Sequence, residues 1–250
     1  MKHSKVVPLI ILKNERFSIL QIAKLIINFY QNLVEKNSLF NIINIISEKE
    51  TIYSVIDIQK SNSIEMLAEE ILHRNLEDIR KIDGVDNPNL DYRRGEKGGI
   101  HIGLETKIEN DTFISLTFSF YPYQNAVGRL VVNELCFDTF EKAKDFLTAA
   151  NNVFSVKYSA IKITDRLLNK IASEYRAPLG WITYFSFDYD IPIPNDLDGI
   201  EIEYICNGKY LILSKEDISV QEEKLELCKQ KIISTMKQIE NKCPDYSRKE

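Results

Sequence analysis

Ile200-Glu201-Ile202-Glu203-Tyr204-Ile205-Cys206-Asn207-Gly208-Lys209-Tyr210-Leu211-Ile212-Leu213 is the stretch that decides the fold class. Ile200, Ile202 and Tyr204 alternate with Glu201 and Glu203, the period of a half-buried strand. Asn207-Gly208 then turns the chain into the apolar run Lys209 to Leu213. A type I′ turn needs two positive φ angles, which Asn-Gly supplies readily, so the stretch predicts an antiparallel hairpin.

Upstream, Val153 to Tyr158 reads as a strand and Thr164 to Tyr175 as a short helix carrying Leu167, Leu168 and Ile171. Pro178 forces an exit, and Trp181 to Phe187 runs as another strand. Downstream, Ser219 with Glu222 caps a last helix in which Leu225, Cys228, Ile232, Met236, Ile239 and Cys243 recur three or four apart. The tail from Asp245 to Glu250 reads as frayed.

The first half is built alike. Val6 to Leu12 is too short to span a membrane, which takes about 20 apolar residues, and no small-residue cleavage site follows it, so it reads as a first strand. Ser18 with Gln21 makes a capping box for a long helix ending near Lys36, with Ile19, Ile22, Ala23, Ile26, Phe29, Tyr30 and Leu33 at helical spacing. Leu20, Leu25, Ile27 and Val34 widen its apolar face. Leu39 to Ile46 and Thr51 to Ile58 form a second hairpin. Asn62 with Glu65 caps a second helix whose stripe is Ile64, Leu67, Ala68, Ile71, Leu72, Leu76 and Ile79.

Turn residues crowd the segment from Asp83 to Gly99, the one internal boundary the sequence suggests. Ile100 opens a strand beyond it, Ile114, Leu116, Phe118 and Phe120 alternate with polar residues, and Gly128 to Phe137 follows as a further strand. Asp138 and Glu141 then cap a helix with Phe140, Ala143, Leu147 and Ala150 on one side. Strands in hairpin pairs, not in strict alternation with helices, predict an α+β fold of antiparallel-rich mixed sheets with helices packed against them. It spans 1–250 as a single domain or as two lobes with the boundary in 83–99.

With 44% hydrophobic and 10% aromatic residues among 250, the chain has ample material for a core. Its net charge of −5 argues against nucleic acid, which needs a basic stripe, and favours a basic partner. The expected setting is the cytoplasm, with no membrane attachment. Cys136, Cys206, Cys228 and Cys243 hold no C-x-x-C pair, so neither disulfides nor zinc are expected.

His3, His73 and His101 lie apart, without a second ligand at metal spacing. Gly95-Glu96-Lys97-Gly98-Gly99 precedes a strand, whereas phosphate loops open a helix, so a turn with a bulge explains it. Arg93 and Arg94 in that loop could contact a phosphate or an acidic partner. No nucleophile elbow is present. No catalytic set, metal or cofactor is therefore expected. The acidic residues Asp188, Asp190, Asp196, Asp198, Glu201 and Glu203 gather in a stretch with no Lys or Arg between Arg176 and Lys209, stiffened by Pro192 and Pro194. A solvated face, a partner-binding surface and a magnesium site are its three readings.

The run Tyr175-Arg176-Ala177-Pro178-Leu179-Gly180-Trp181-Ile182-Thr183-Tyr184-Phe185, the acidic proline loop, the hairpin and the final helix resemble the C-terminal part of the immunity protein 52 family. The opening order of strand, Arg16 and long helix is similar to it too. The resemblance implies a bacterial antitoxin of a polymorphic toxin system, in the setting of type VI secretion, that occludes the active site of a cognate toxin, often a nuclease. In that reading Asp188, Asp190, Asp196 and Asp198, with Glu201 and Glu203 beside them, meet the toxin's basic cleft, and Trp181 or Tyr184 anchors the centre if exposed. The alternative for Trp181 is a core residue closing a sheet. Two rival functions stay open: an enzyme using the Asp cluster on a phosphorylated or sugar substrate, and a structural subunit of a larger assembly.

Overall fold

The computed structural model describes residues 6–13, 17–36, 40, 42–46, 52–81, 100–108, 112–120, 125–127, 130–131, 137, 139–218 and 221–248. In chain order these form β1 (Val6–Leu12), α1 (Ile19–Lys36), β2 (Ile42–Ile46), β3 (Ile52–Asp57), α2 (Ser63–Lys81), β4 (Ile100–Ile108), β5 (Thr112–Phe120), β6 (Asn125–Val127) and β7 (Leu130–Val131). There follow α3 (Phe140–Val153), β8 (Val156–Ile163), α4 (Arg166–Ala172), β9 (Ile182–Ser186), β10 (Glu201–Ile205), β11 (Gly208–Ile212), α5 (Glu222–Lys242) and a 3₁₀ turn, Pro244–Tyr246. The fold is α+β, as the hairpin pattern predicts.

The chain divides into two compact units, one made of Met1–Ile10, Val132–Thr148 and Val156–Glu250, the other of Ile11–Val131 and Ala149–Ser155. None of these borders falls in 83–99, which lies outside the described residues together with Arg93 and Arg94.

In the second unit the strand order is β6-β5-β4-β2-β3, with β7 also on β5. β2 and β3 are antiparallel with Ile43 opposite Ile56, and β4 and β5 are antiparallel along their whole length, with Ile102 opposite Phe118. The capping box of α1 is in place: Ser18 N–H donates to Gln21 Oε1 at 2.7 Å and Gln21 N–H to Ser18 Oγ at 3.2 Å. The helix buries Ile22, Ile26, Phe29, Tyr30 and Leu33, and also Ile27, while Leu20 stays 47% exposed. On α2, Leu67 and Ile71 are buried, and so is Asn75, whose side-chain amide donates to Ile71 O at 2.8 Å.

The first unit orders its strands β10-β11-β9-β8-β1. Four local expectations are corrected here. α3 runs to Val153, so β8 starts only at Val156 and continues to Ile163. The hydroxyl that caps α3 belongs to Thr139, accepting from Lys142 N–H at 3.2 Å, while Asp138 is outside the described residues. Gln221 precedes α5 without a side-chain cap bond, and Ser219 is likewise undescribed.

The hairpin turn is the fourth. Ile205 pairs with Gly208, so Cys206 and Asn207 are the two turn residues and Gly208 already belongs to β11. Gly199, at φ 69°, is the positive-φ glycine of the described residues. Gly208 is required by close packing instead: a Cβ there would lie 2.2 Å from Phe185 O and 2.6 Å from the Tyr184 ring.

As far as Arg248 the tail is not frayed, while Lys249 and Glu250 lie outside the described residues. Tyr246 is fully buried, its ring 5.1 Å from that of Tyr175, and Arg176 N–H donates to Tyr246 O at 3.0 Å while Arg248 N–H donates to Glu174 O at 2.7 Å. Proline and apolar spacing after α5 carry too little signal to reveal this strap. Among the described residues no helix is long and apolar enough to cross a membrane.

Candidate partner-binding site

The acidic segment lies between β9 and β10, and cross-strand register shows what it covers. Tyr204 stands opposite Lys209, Lys209 opposite Phe185, and Phe185 opposite Tyr158, so these side chains share one face across β10, β11, β9 and β8. Residues 187–200 fold against that face. Ile191, Ile193 and Leu197 are buried, while Pro192, Asn195 and Asp196 between them, and Asp198 after them, are exposed. The segment therefore carries its own apolar side, and Tyr189 packs its ring 5.1 Å from Phe185.

Lys209 is the residue that sequence reasoning missed. It is only 8% exposed, and its ammonium donates to Ile193 O at 2.5 Å, Asn195 Oδ1 at 2.5 Å and Pro194 O at 3.5 Å. Burial pulls its pKa below the ordinary lysine value. A lysine at a strand start reads as exposed, so composition gave no hint that it pins the loop from beneath.

The carboxylates meet lysines brought in from other elements. Asp190 pairs with Lys157 of β8 at 2.6 Å, Asp196 with Lys242 of α5 at 2.7 Å, and Glu201 with Lys215 at 2.9 Å. Glu203 pairs with Lys144 of α3. Asp198 is exposed, and its backbone N–H donates to Gln238 Oε1 at 2.9 Å. Asp188 is exposed as well. The stretch that lacks basic residues in sequence is thus interleaved with them in space. The Lys242 ammonium beside Asp196 holds its carboxyl below the usual carboxylate range. Among the described residues no group of three His, Cys, Asp or Glu side chains is placed to hold a metal ion.

Neither aromatic anchor is available. Trp181 is 0% exposed, packed 6.2 Å from the Phe140 ring, and its indole N–H donates to Ser214 O at 2.9 Å. Tyr184 is 2% exposed and its hydroxyl donates to Asn207 O at 3.1 Å; burial, with Tyr210 and Asp188 nearby, pushes its pKa up to about 12. β9 is buried along its whole length and Trp181 precedes it in the core, so the exposure on which an anchoring role for Trp181 or Tyr184 depended is not met. The exposed rings of the region are Phe187 and Tyr204, at 61% and 56%. No protein-family model and no curated protein matches the chain.

Proposed function

We propose that this chain is a binding protein of the immunity type, an antitoxin that neutralises a cognate toxin in the cytoplasm by covering a basic active-site cleft. One observation carries the reading: Asp188, Asp190, Asp196 and Asp198 are exposed along a segment already held in one shape, with Phe187 exposed at its start and Tyr204 exposed on β10, the strand that follows it. A preshaped surface loses little conformational entropy on docking. Surface ion pairs such as Lys157–Asp190 are weak, on the order of 0–1 kcal/mol, so a partner's Arg or Lys can replace the internal lysine at small cost. The resemblance of residues 175–185 to an immunity family supports the same reading, and Glu201 and Glu203 extend the acidic side.

The test is binding between the purified chain and the product of the gene immediately upstream, by calorimetry at low and moderate salt. Replacing Asp188, Asp190, Asp196 and Asp198 with Asn is expected to slow association and flatten the salt dependence, with the fold intact. An upstream product that does not bind, or binding indifferent to both salt and the four substitutions, would overturn the proposal.

A further inference from the structure

Between the 187–200 segment and the sheet lies a cleft of about 200 Å³, lined in part by Phe187, Tyr189, Ile193, Asn195, Tyr204 and Lys209. We propose that this cleft is a binding site for a carboxylate carried on a small apolar or aromatic group, with the ammonium of Lys209 as its counter-charge. The inference stands apart from the antitoxin reading, since it concerns a small ligand and needs no partner protein.

Three observations carry it. The first is charge: Lys209 is the charged residue of the lining, and all its hydrogen-bond acceptors are neutral. A buried ammonium held by carbonyl and amide oxygens alone keeps its charge uncompensated, a situation an incoming anion relieves. Its hydrogen bond to Pro194 O, at 3.5 Å, lies at the limit of useful geometry, so one of the three N–H donors is weakly engaged. Asp190 is not part of the lining, and its 74% exposed carboxylate is screened by water and paired with Lys157.

The second is the wall chemistry. Phe187 and Tyr204 expose 61% and 56% of their surface beside this opening, and Tyr189, Ile191 and Ile193 continue the apolar lining inward. A flat or branched apolar group seated there covers rings that water now wets. The third is size: about 200 Å³ falls below the roughly 300–1,000 Å³ of ordinary small-molecule pockets. The space suits a group the size of one side chain and excludes a nucleotide-sized cofactor. A free small acid and the C-terminal residue of a peptide share this chemistry.

Titrating the full-length, isotope-labelled chain by NMR separates the outcomes, with phenylacetate as the free acid, N-acetylphenylalanine as the peptide terminus and phenylacetamide as the neutral control. Both acids are expected to saturate at about millimolar concentration, as befits ligands of this size, with shifts centred on residues 187–209. The amide should bind at least tenfold more weakly. Tighter binding of N-acetylphenylalanine assigns the site to peptide ends; tighter binding of phenylacetate assigns it to free acids. Lys209→Gln keeps a donor toward the loop carbonyls but removes the charge, and should bring the acids down to the level of the amide. Phe187→Ser with Tyr204→Ser, at exposed positions that leave the fold alone, should abolish binding of both acids. Equal affinity for acid and amide in the native chain, or no saturation by either acid, overturns the proposal, and these two results stand whatever Lys209→Gln does to folding.

Discussion

Two irregular, proline-bearing segments of the first unit are held through their carbonyls by the same kind of bond, and they differ in the donor. In residues 175–181 the carbonyls of Ala177 and Pro178 accept from the phenols of Tyr246 and Tyr158, both buried. In residues 187–200 the carbonyls of Ile193 and Pro194 accept from the ammonium of Lys209, at the edge of a cleft. Neutral donors in a dry interior make a permanent joint. A cation beside an opening, held by neutral acceptors alone, makes a joint whose partners can be exchanged. That difference places the binding surface on the second segment and the fixed scaffold under the first.

The comparison breaks most easily at Tyr246. Tyr246→Ala removes a fully buried ring and a phenol hydrogen bond, and large aromatic truncations in a core cost about 3–5 kcal/mol. Denaturant unfolding should show a loss of that order. A loss below about 0.5 kcal/mol, typical of a surface site, would mean that the tail contributes nothing and that 175–181 is no more firmly fixed than 187–200.

Alkaline pH probes the same scaffold without mutation. Burial, reinforced by neighbouring phenols, raises the pKa of both Tyr158 and Tyr246 well above the ordinary value of 10.0. The folded chain keeps these protons where the unfolded chain has lost them. Stability is therefore fully present below pH 10 and falls as pH rises above it, by about 1.4 kcal/mol per pH unit for each such phenol. Unfolding midpoints measured across this range, with Tyr158→Phe and Tyr246→Phe as controls, should show the slope and then its flattening. An unchanged slope in both variants would move the effect to other tyrosines.

Lys209→Met sharpens the contrast from the other side. It leaves the carbonyls of Ile193 and Pro194 without their donor, a penalty of about 1–3 kcal/mol for groups that stay buried. The expected signature is local: faster hydrogen exchange within 187–200, where the N–H groups of Tyr189 and Ile200 donate to Ser186 O and Leu197 O, with 175–181 unaffected. Exchange that accelerates equally in both segments would show them to be one cooperative unit, and the division into scaffold and exchangeable joint would fall.

What the sequence disclosed follows from which signals are local. The stripe Leu225, Cys228, Ile232, Met236 and Ile239 on α5 and the capping box of α1 were legible, because helical period and cap chemistry reside in neighbouring residues. The hairpin was legible too, but its turn was displaced by one residue: Asn-Gly signals positive φ, while Gly208 answers a steric demand from Tyr184, a residue distant in sequence. The acidic segment was visible as composition, yet its pairing with Lys144, Lys157 and Lys242, and its anchoring on Lys209, arise only when α3, β8, β11 and α5 converge. For the same reason Tyr184 could be named from the sequence but not placed, whereas the core reading of Trp181 agrees with its full burial.

The smallest expected effect belongs to the carboxylates themselves, and it decides whether charge shapes the 187–200 segment or merely decorates it. The side chains of Asp190 and Asp196 are 74% and 81% exposed, so water competes at both for the paired lysine. Lys242 keeps a second acceptor in any case, donating to the main-chain oxygen of Asp196 at 2.5 Å. The buried anchors Ile191, Ile193 and Leu197 and the Lys209 bonds are untouched by changes at the rim. Replacing Asp188, Asp190, Asp196 and Asp198 together with Asn should therefore leave the unfolding midpoint where it is, at low salt and high salt alike, while hydrogen exchange across 187–200 is unchanged. A clear drop in midpoint at low salt that vanishes at high salt would show that the ion pairs hold the loop in shape. The exchange of lysines on docking would then carry a conformational cost, and the prebuilt surface would have to give way to one that forms as the partner binds.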